Sequence, residues 1–252
     1  MNYARLLTEG VGGWLQFEGA CSRDGLFNEK YLTQSIGQIL SANTGNRTLA
    51  EFKHPVLAPA ARGPGRRPEI DFVVCDPHPT ISVAVESKWV GKTIPTPASV
   101  VWDLIRLSLL AREGSRCFFV MAGKRSALDA YFGRRDIAGT SVTPAHPVLR
   151  HDVNTLHRLD LTATRRVRLK MMRRLYAEYQ TFTFPTYLTT RRSQPFPATP
   201  PNNRYQAYTW EVFSKPGSQT FRPENSREFR QASSTTNRAA DLIEPPENNS
   251  AA

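Results

Sequence analysis

Apolar and polar positions along the chain fall into short blocks of different period. The opening is weakly patterned. From Asn28, a good helix N-cap, Leu32, Ile36, Ile39 and Leu40 recur at helical spacing through residues 28–42. Gly45 then suits a left-handed stop. Residues 48–57 alternate as a first strand until Pro55 breaks the ladder. A Pro/Gly/Arg loop follows, then two apolar runs, "IDFVVCD" and "TISVAVESKWV", separated by the turn residues "PHP". "PASVVWDLIRLSLLAREG" places Val101, Leu104, Ile105 and Leu109 on one helical stripe closed by Gly114. "RCFFVMAG" reads as a buried strand and "SALDAYFG" as a helix. A strand after a helix favours a crossover, hence an α/β fold with a mixed sheet flanked by helices.

The pattern weakens over 140–160. It returns as a basic helix, "TATRRVRLKMMRRLYAEYQ", and as two late strands, "FTFPTYLTT" and "YQAYTWEVF". These late elements either extend the same fold or form a small lobe. From Ser214 the chain is too poor in apolar residues to offset the entropy of ordering, so a folded region over 1–213 and a disordered tail over 214–252 are expected.

Composition adds a partner. The 252 residues carry a formal net charge of +11, with ordinary hydrophobic content of 40%. Such an excess concentrates polyanions, and nucleic acid is the commonest of them. Arg62, Arg66 and Arg67 form one basic loop, and Arg165, Arg166, Arg168, Lys170, Arg173 and Arg174 line the basic helix. Both are candidate phosphate contacts. Three scattered cysteines without a C-x-x-C pair argue against zinc and suit reduced thiols, so a cytoplasmic location is expected. No signal-peptide pattern and no apolar run near 18 residues appear, which points away from a membrane. "MAGKRS" lacks the glycine spacing of a phosphate loop.

The informative anomaly is acidic. Asp71 opens one apolar strand, while Glu86 and Lys88 close the next and share a face, about 7 Å apart at Cα. A hairpin of those strands brings Asp71 beside Glu86. Two neighbouring carboxylates repel unless something neutralises them. Magnesium or manganese, which takes hard oxygen ligands and completes its shell from water and phosphate, does so. Such a metal polarises a phosphoryl oxygen and acidifies a bound water, and an adjacent lysine places or activates that water. The alternative is a structural salt bridge at a sheet edge. Glu69, on the same face as Asp71, competes for its role but lies nearer the loop.

Asp71 followed by Glu86-Ser87-Lys88, in the order helix, three strands, helix, strand, resembles the PD-(D/E)xK, or restriction-endonuclease-like, nuclease superfamily. The likeness covers residues 25–125. The literal "PD" is absent, since Pro68, Glu69 and Ile70 precede Asp71. The resemblance implies magnesium-dependent DNA cleavage leaving a 5′-phosphate, by a metal-dependent endonuclease of the restriction or phage-defence kind. It also implies a third acid on the first helix, where Glu29 stands. Cleavage of both strands favours a homodimer. The competing readings are a catalytically inactive, nuclease-like nucleic-acid-binding protein and a subunit of a larger assembly.

Overall fold

The central strands are buried almost continuously, because helices cover both faces of one sheet in two layers. The structure, a computed structural model, describes residues 1–45, 47–60, 67–138, 147–162, 176–202, 204–215, 217 and 219–226. In chain order the helices are α1 (Tyr3–Ala20), α2 (Glu29–Thr44), the short α3 (Leu57–Ala60), α4 (Pro97–Arg112) and α5 (Arg125–Gly133). The strands are β1 (Thr48–Lys53), β2 (Glu69–Cys75), β3 (Ile81–Val90), β4 (Arg116–Lys124), β5 (Leu156–Asp160), β6 (Phe184–Pro185), β7 (Tyr187–Arg192), β8 (Tyr205–Phe213) and β9 (Thr220–Phe221). Seven of the described strands form one sheet in the order β1-β2-β3-β4-β8-β7-β5. Only the β3–β4 pair is parallel within it, and α4 makes the crossover. The mixed, helix-flanked α/β architecture expected from the sequence is therefore present.

Phe72, Val74, Val83, Val85, Phe118 and Val120 pack one face against α1 and α2. Val73, Ala84, Cys117, Phe119 and Met121 pack the other against α4 and α5. Helix ends follow local chemistry. The Asn28 side chain accepts from the Tyr31 N–H at the start of α2, and Thr96 accepts from Ser99 at the start of α4. Gly45 closes α2 with φ of 61°.

Several expectations need correction. The weakly patterned opening is α1, with Leu7, Val11 and Leu15 buried along one stripe. Its glycines lower helix propensity and hide it. They serve close packing: a Cβ on Gly12 would stand 2.4 Å from the Phe196 carbonyl oxygen. The first strand stops at Lys53, two residues ahead of the expected break at Pro55, because His54 begins a turn. Part of the weak 140–160 stretch is the edge strand β5. The late strands β7 and β8 join the main sheet, with β8 beside β4. Past Ser214, β9 pairs with β6 and Phe221 packs on Tyr176 and Phe184, so packed chain extends beyond the expected boundary. Residues 227–252 of the expected tail, Arg62, Arg66 and the basic segment from Arg165 to Arg174 lie outside the described residues. Among the described residues no helix is long and apolar enough to cross a membrane.

His54 ties the first strand to α4. It is fully buried; Nδ1 accepts from the amides of Val56 and Leu57, at 3.1 and 3.2 Å. The proton is therefore on Nε2, which donates to the Arg106 carbonyl at 3.0 Å. Burial, opposed by that bond and reinforced by the Arg106 charge, pushes its pKa down to about 4. The unfolded chain then binds more protons between the ordinary 6.5 and about 4, so stability falls as pH drops through that window. The full effect is on the order of 3 kcal/mol. A histidine NMR titration should show one imidazole neutral down to about pH 4 with the proton on Nε2; titration of every imidazole near 6.5 contradicts this account.

Candidate functional site

The β2–β3 hairpin pairs Phe72 with Val85 and Val73 with Ala84. One further step in that antiparallel register sets Asp71 opposite Glu86. There the carboxylate of Asp71 takes over from the backbone ladder. Ser87 donates to its Oδ2 through both the amide N–H and the hydroxyl, each at 2.8 Å. Two strands thus present their acids at one end of the sheet, fixed by backbone geometry rather than by mobile loops.

Glu86 has 0% of its surface exposed. Its Oε2 accepts from Arg106 Nη2 at 3.0 Å, while its Oε1 is buried with no hydrogen-bond partner. Arg106 sits on α4 and also donates to Asp103 Oδ1, at 2.5 Å, and to the Glu69 carbonyl. Asp103 Oδ2 lies 3.0 Å from Lys88 Nζ. Lys88 Nζ lies 3.1 Å from Glu29 Oε1, on α2. A continuous charged chain therefore runs Glu86, Arg106, Asp103, Lys88, Glu29, with Asp71 alongside.

The charges do not balance. Four carboxylates (Glu29, Asp71, Glu86 and Asp103) face two cations, Lys88 and Arg106. Burial, followed by the nearby Asp103 charge, raises the pKa of Glu86 well above the usual carboxylate range, with Arg106 only partly opposing. Burial likewise raises Asp71 against the Ser87 hydrogen bonds. Burial works against the Lys88 ammonium, but Asp103, Glu29 and Asp71 outweigh it, so Lys88 stays protonated. A lysine so held can orient water or stabilise negative charge; it does not withdraw a proton.

The structure brings Asp71, Glu86 and Lys88 to one place and reaches Glu29 only through Lys88, with the Glu29 side chain 53% exposed. Among the described residues no three His, Cys, Asp or Glu side chains converge closely enough to form a metal site by themselves. Asp71 and Glu86 are thus a pair of hard oxygen donors, the set with which magnesium keeps several waters. The orphaned Oε1 of Glu86 fits that chemistry. Arg67, of the basic loop, is exposed. Arg106 is nearly buried and is committed to Glu86 and Asp103. Asp103 is the member of the cluster that sequence reasoning passed over. Its signal was an acid on the apolar stripe of α4, beside Val100, Leu104 and Leu107. Comparison with protein-family models, curated proteins and solved structures returns no match.

Removing one partner of a buried ion pair strands the other. Arg106→Met should therefore destabilise by about 3–5 kcal/mol in urea unfolding. Glu86→Gln, which relieves the carboxylate excess and keeps an oxygen for Arg106, should at pH 8 in chelator be neutral or stabilising. For wild type, raised carboxylate pKa values mean stability that is present in acid and lost as pH climbs past the ordinary glutamate range. Equal losses in the two variants contradict this ordering.

Proposed function

We propose that the chain is a divalent-metal-dependent nuclease that hydrolyses phosphodiester bonds in DNA, built on a restriction-endonuclease-like core formed by α2, β1–β3, α4 and β4. One observation carries the reading: a buried glutamate has a carboxylate oxygen without a partner, on the strand neighbouring a second buried-side acid. Such an oxygen costs stability, either as an unmatched buried charge or through the raised pKa that neutralises it, and a cation at this position removes that cost. The net charge of +11 supports a polyanionic substrate.

In this reading Asp71 and Glu86 would hold magnesium or manganese, which supplies polarisation of the phosphoryl oxygen and acidification of a bound water. Ser87 fixes the Asp71 carboxylate, and Arg106 fixes the Glu86 carboxylate through Oε2, leaving Oε1 for the ion. Lys88, kept cationic, steadies the attacking water and the charge developing on phosphorus. Asp103 and Glu29 clamp its ammonium from α4 and α2. The basic loop at Arg62, Arg66 and Arg67 and the segment from Arg165 to Arg174 would hold the phosphate backbone, and cutting both strands would use a homodimer. A second reading has its own observation: both cations of the cluster already sit on carboxylates, which suits a nucleic-acid-binding protein without cleavage.

Plasmid incubated with magnesium, manganese or chelator separates the two. The nuclease reading expects metal-dependent nicking, lost by about a hundredfold or more in Lys88→Ala, with DNA affinity in chelator within about twofold of wild type. Undiminished cleavage by Lys88→Ala, or binding without cleavage under any metal, overturns it.

A further inference from the structure

Next to this cluster the chain gathers aromatic rings that the proposed chemistry does not use. Phe27 lies at the centre, with ring centroids 6.0 Å from Trp14, 5.6 Å from Tyr31, 5.9 Å from Trp89 and 4.6 Å from Tyr205. Elsewhere large rings such as Phe119, Phe132 and Trp210 are sealed in the core. Here all five are only half-buried. Trp89 and Tyr205 lie side by side, centroids 6.0 Å apart and planes 30° apart. Gly91 leaves room for this arrangement, since a Cβ there would stand 2.4 Å from the Trp89 indole nitrogen.

Position links these rings to the acids. Trp89 directly follows Lys88 on β3, and Tyr31 follows Glu29 by two residues on α2. Exposed cations flank the rings in the chain: Arg23, Lys30, Lys92, Lys124 and Arg204. Lys124 stands opposite Tyr205 in the β4–β8 register. The acids on this side are engaged within the protein. Glu18 accepts from Tyr31 and Arg23, Asp24 accepts from the Tyr205 hydroxyl, and Glu29 holds Lys88. Arg23 is paired with Glu18, but half-buried rings beside the exposed Lys30, Lys92, Lys124 and Arg204 still match bases and phosphates together. A duplex hides its base faces, whereas an unpaired strand offers them for stacking. Another protein with an apolar face would gain nothing from the surrounding cations.

We propose that this aromatic surface, centred on Trp89 and Tyr205, binds the unpaired bases of single-stranded nucleic acid and feeds that strand to Lys88. The proposal deepens the nuclease reading and rests on it for the direction of the strand. The binding it requires is measured apart from cleavage. Fluorescence anisotropy of a labelled oligothymidylate of roughly twelve nucleotides, against a blunt duplex of equal length, is read with the full chain in chelator. Wild type should prefer the single strand. Trp89→Ala and Tyr205→Ala should each weaken that binding about tenfold or more, Trp89→Phe should retain most of it, and duplex affinity should stay unchanged. Unlabelled oligonucleotide should also quench the tryptophan emission of wild type more than that of Trp89→Phe, which decides the matter if an alanine variant does not fold. Equal single-strand affinity in folded alanine variants, a preference for duplex, or quenching identical in Trp89→Phe overturns the proposal. Single-strand binding without metal-dependent cleavage keeps this surface and removes the nuclease reading; cleavage with no role for the rings does the reverse.

Discussion

One carboxylate oxygen constrains the rest of the molecule: Oε1 of Glu86, buried and without a hydrogen-bond donor. Glu86 stands in the middle of β3, fully buried between Val85 and Ser87, where an ion needs compensation. Arg106 compensates one oxygen only. Because Asp103 draws on the same guanidinium, Arg106 serves two acids and fully satisfies neither. The site is therefore poised to accept one more positive charge, either a proton on Glu86 or a cation shared with Asp71.

The fold is arranged around that constraint. The β2–β3 hairpin aligns the two acids in register, and the parallel β3–β4 step requires a crossover, which is α4. That crossover carries Asp103 and Arg106 over the same end of the sheet. On the opposite face α2 brings Glu29 to Lys88, so the ammonium is gripped from two layers. His54, holding the Arg106 carbonyl, anchors the segment that delivers the guanidinium. Each element that reaches the cluster is a regular helix or strand, and that rigidity suits a site that must place groups within a fraction of an ångström.

Much of this was legible in the sequence where periodicity and burial agree. The two apolar runs of β2 and β3, separated by turn residues, gave the strands, their hairpin and the meeting of Asp71 with Glu86. The stripe Val101, Leu104, Ile105 and Leu109 gave α4. The misses have physical causes. In α1 the glycines that allow close approach at Phe196 also erase its helical signal. β5 is an edge strand with a largely exposed surface, so no apolar alternation marks it. The pairing of Lys88 with Asp103 and of Arg106 with Glu86 joins residues that only the crossover brings together, and local pattern carries no trace of it. The half-buried rings around Trp89 and Tyr205 come from α1, the segment before α2, α2, β3 and β8, distant in sequence, and no local pattern joins them.

The central claim is that Asp71 and Glu86 share a divalent cation. Manganese binding, followed by the EPR signal of the free ion near neutral pH, tests it without reference to cleavage. The account predicts a saturable site in the wild-type chain, displaced by magnesium, and lost in both Asp71→Asn and Glu86→Gln. A wild-type chain that leaves manganese free, or variants that bind it as wild type does, would contradict it.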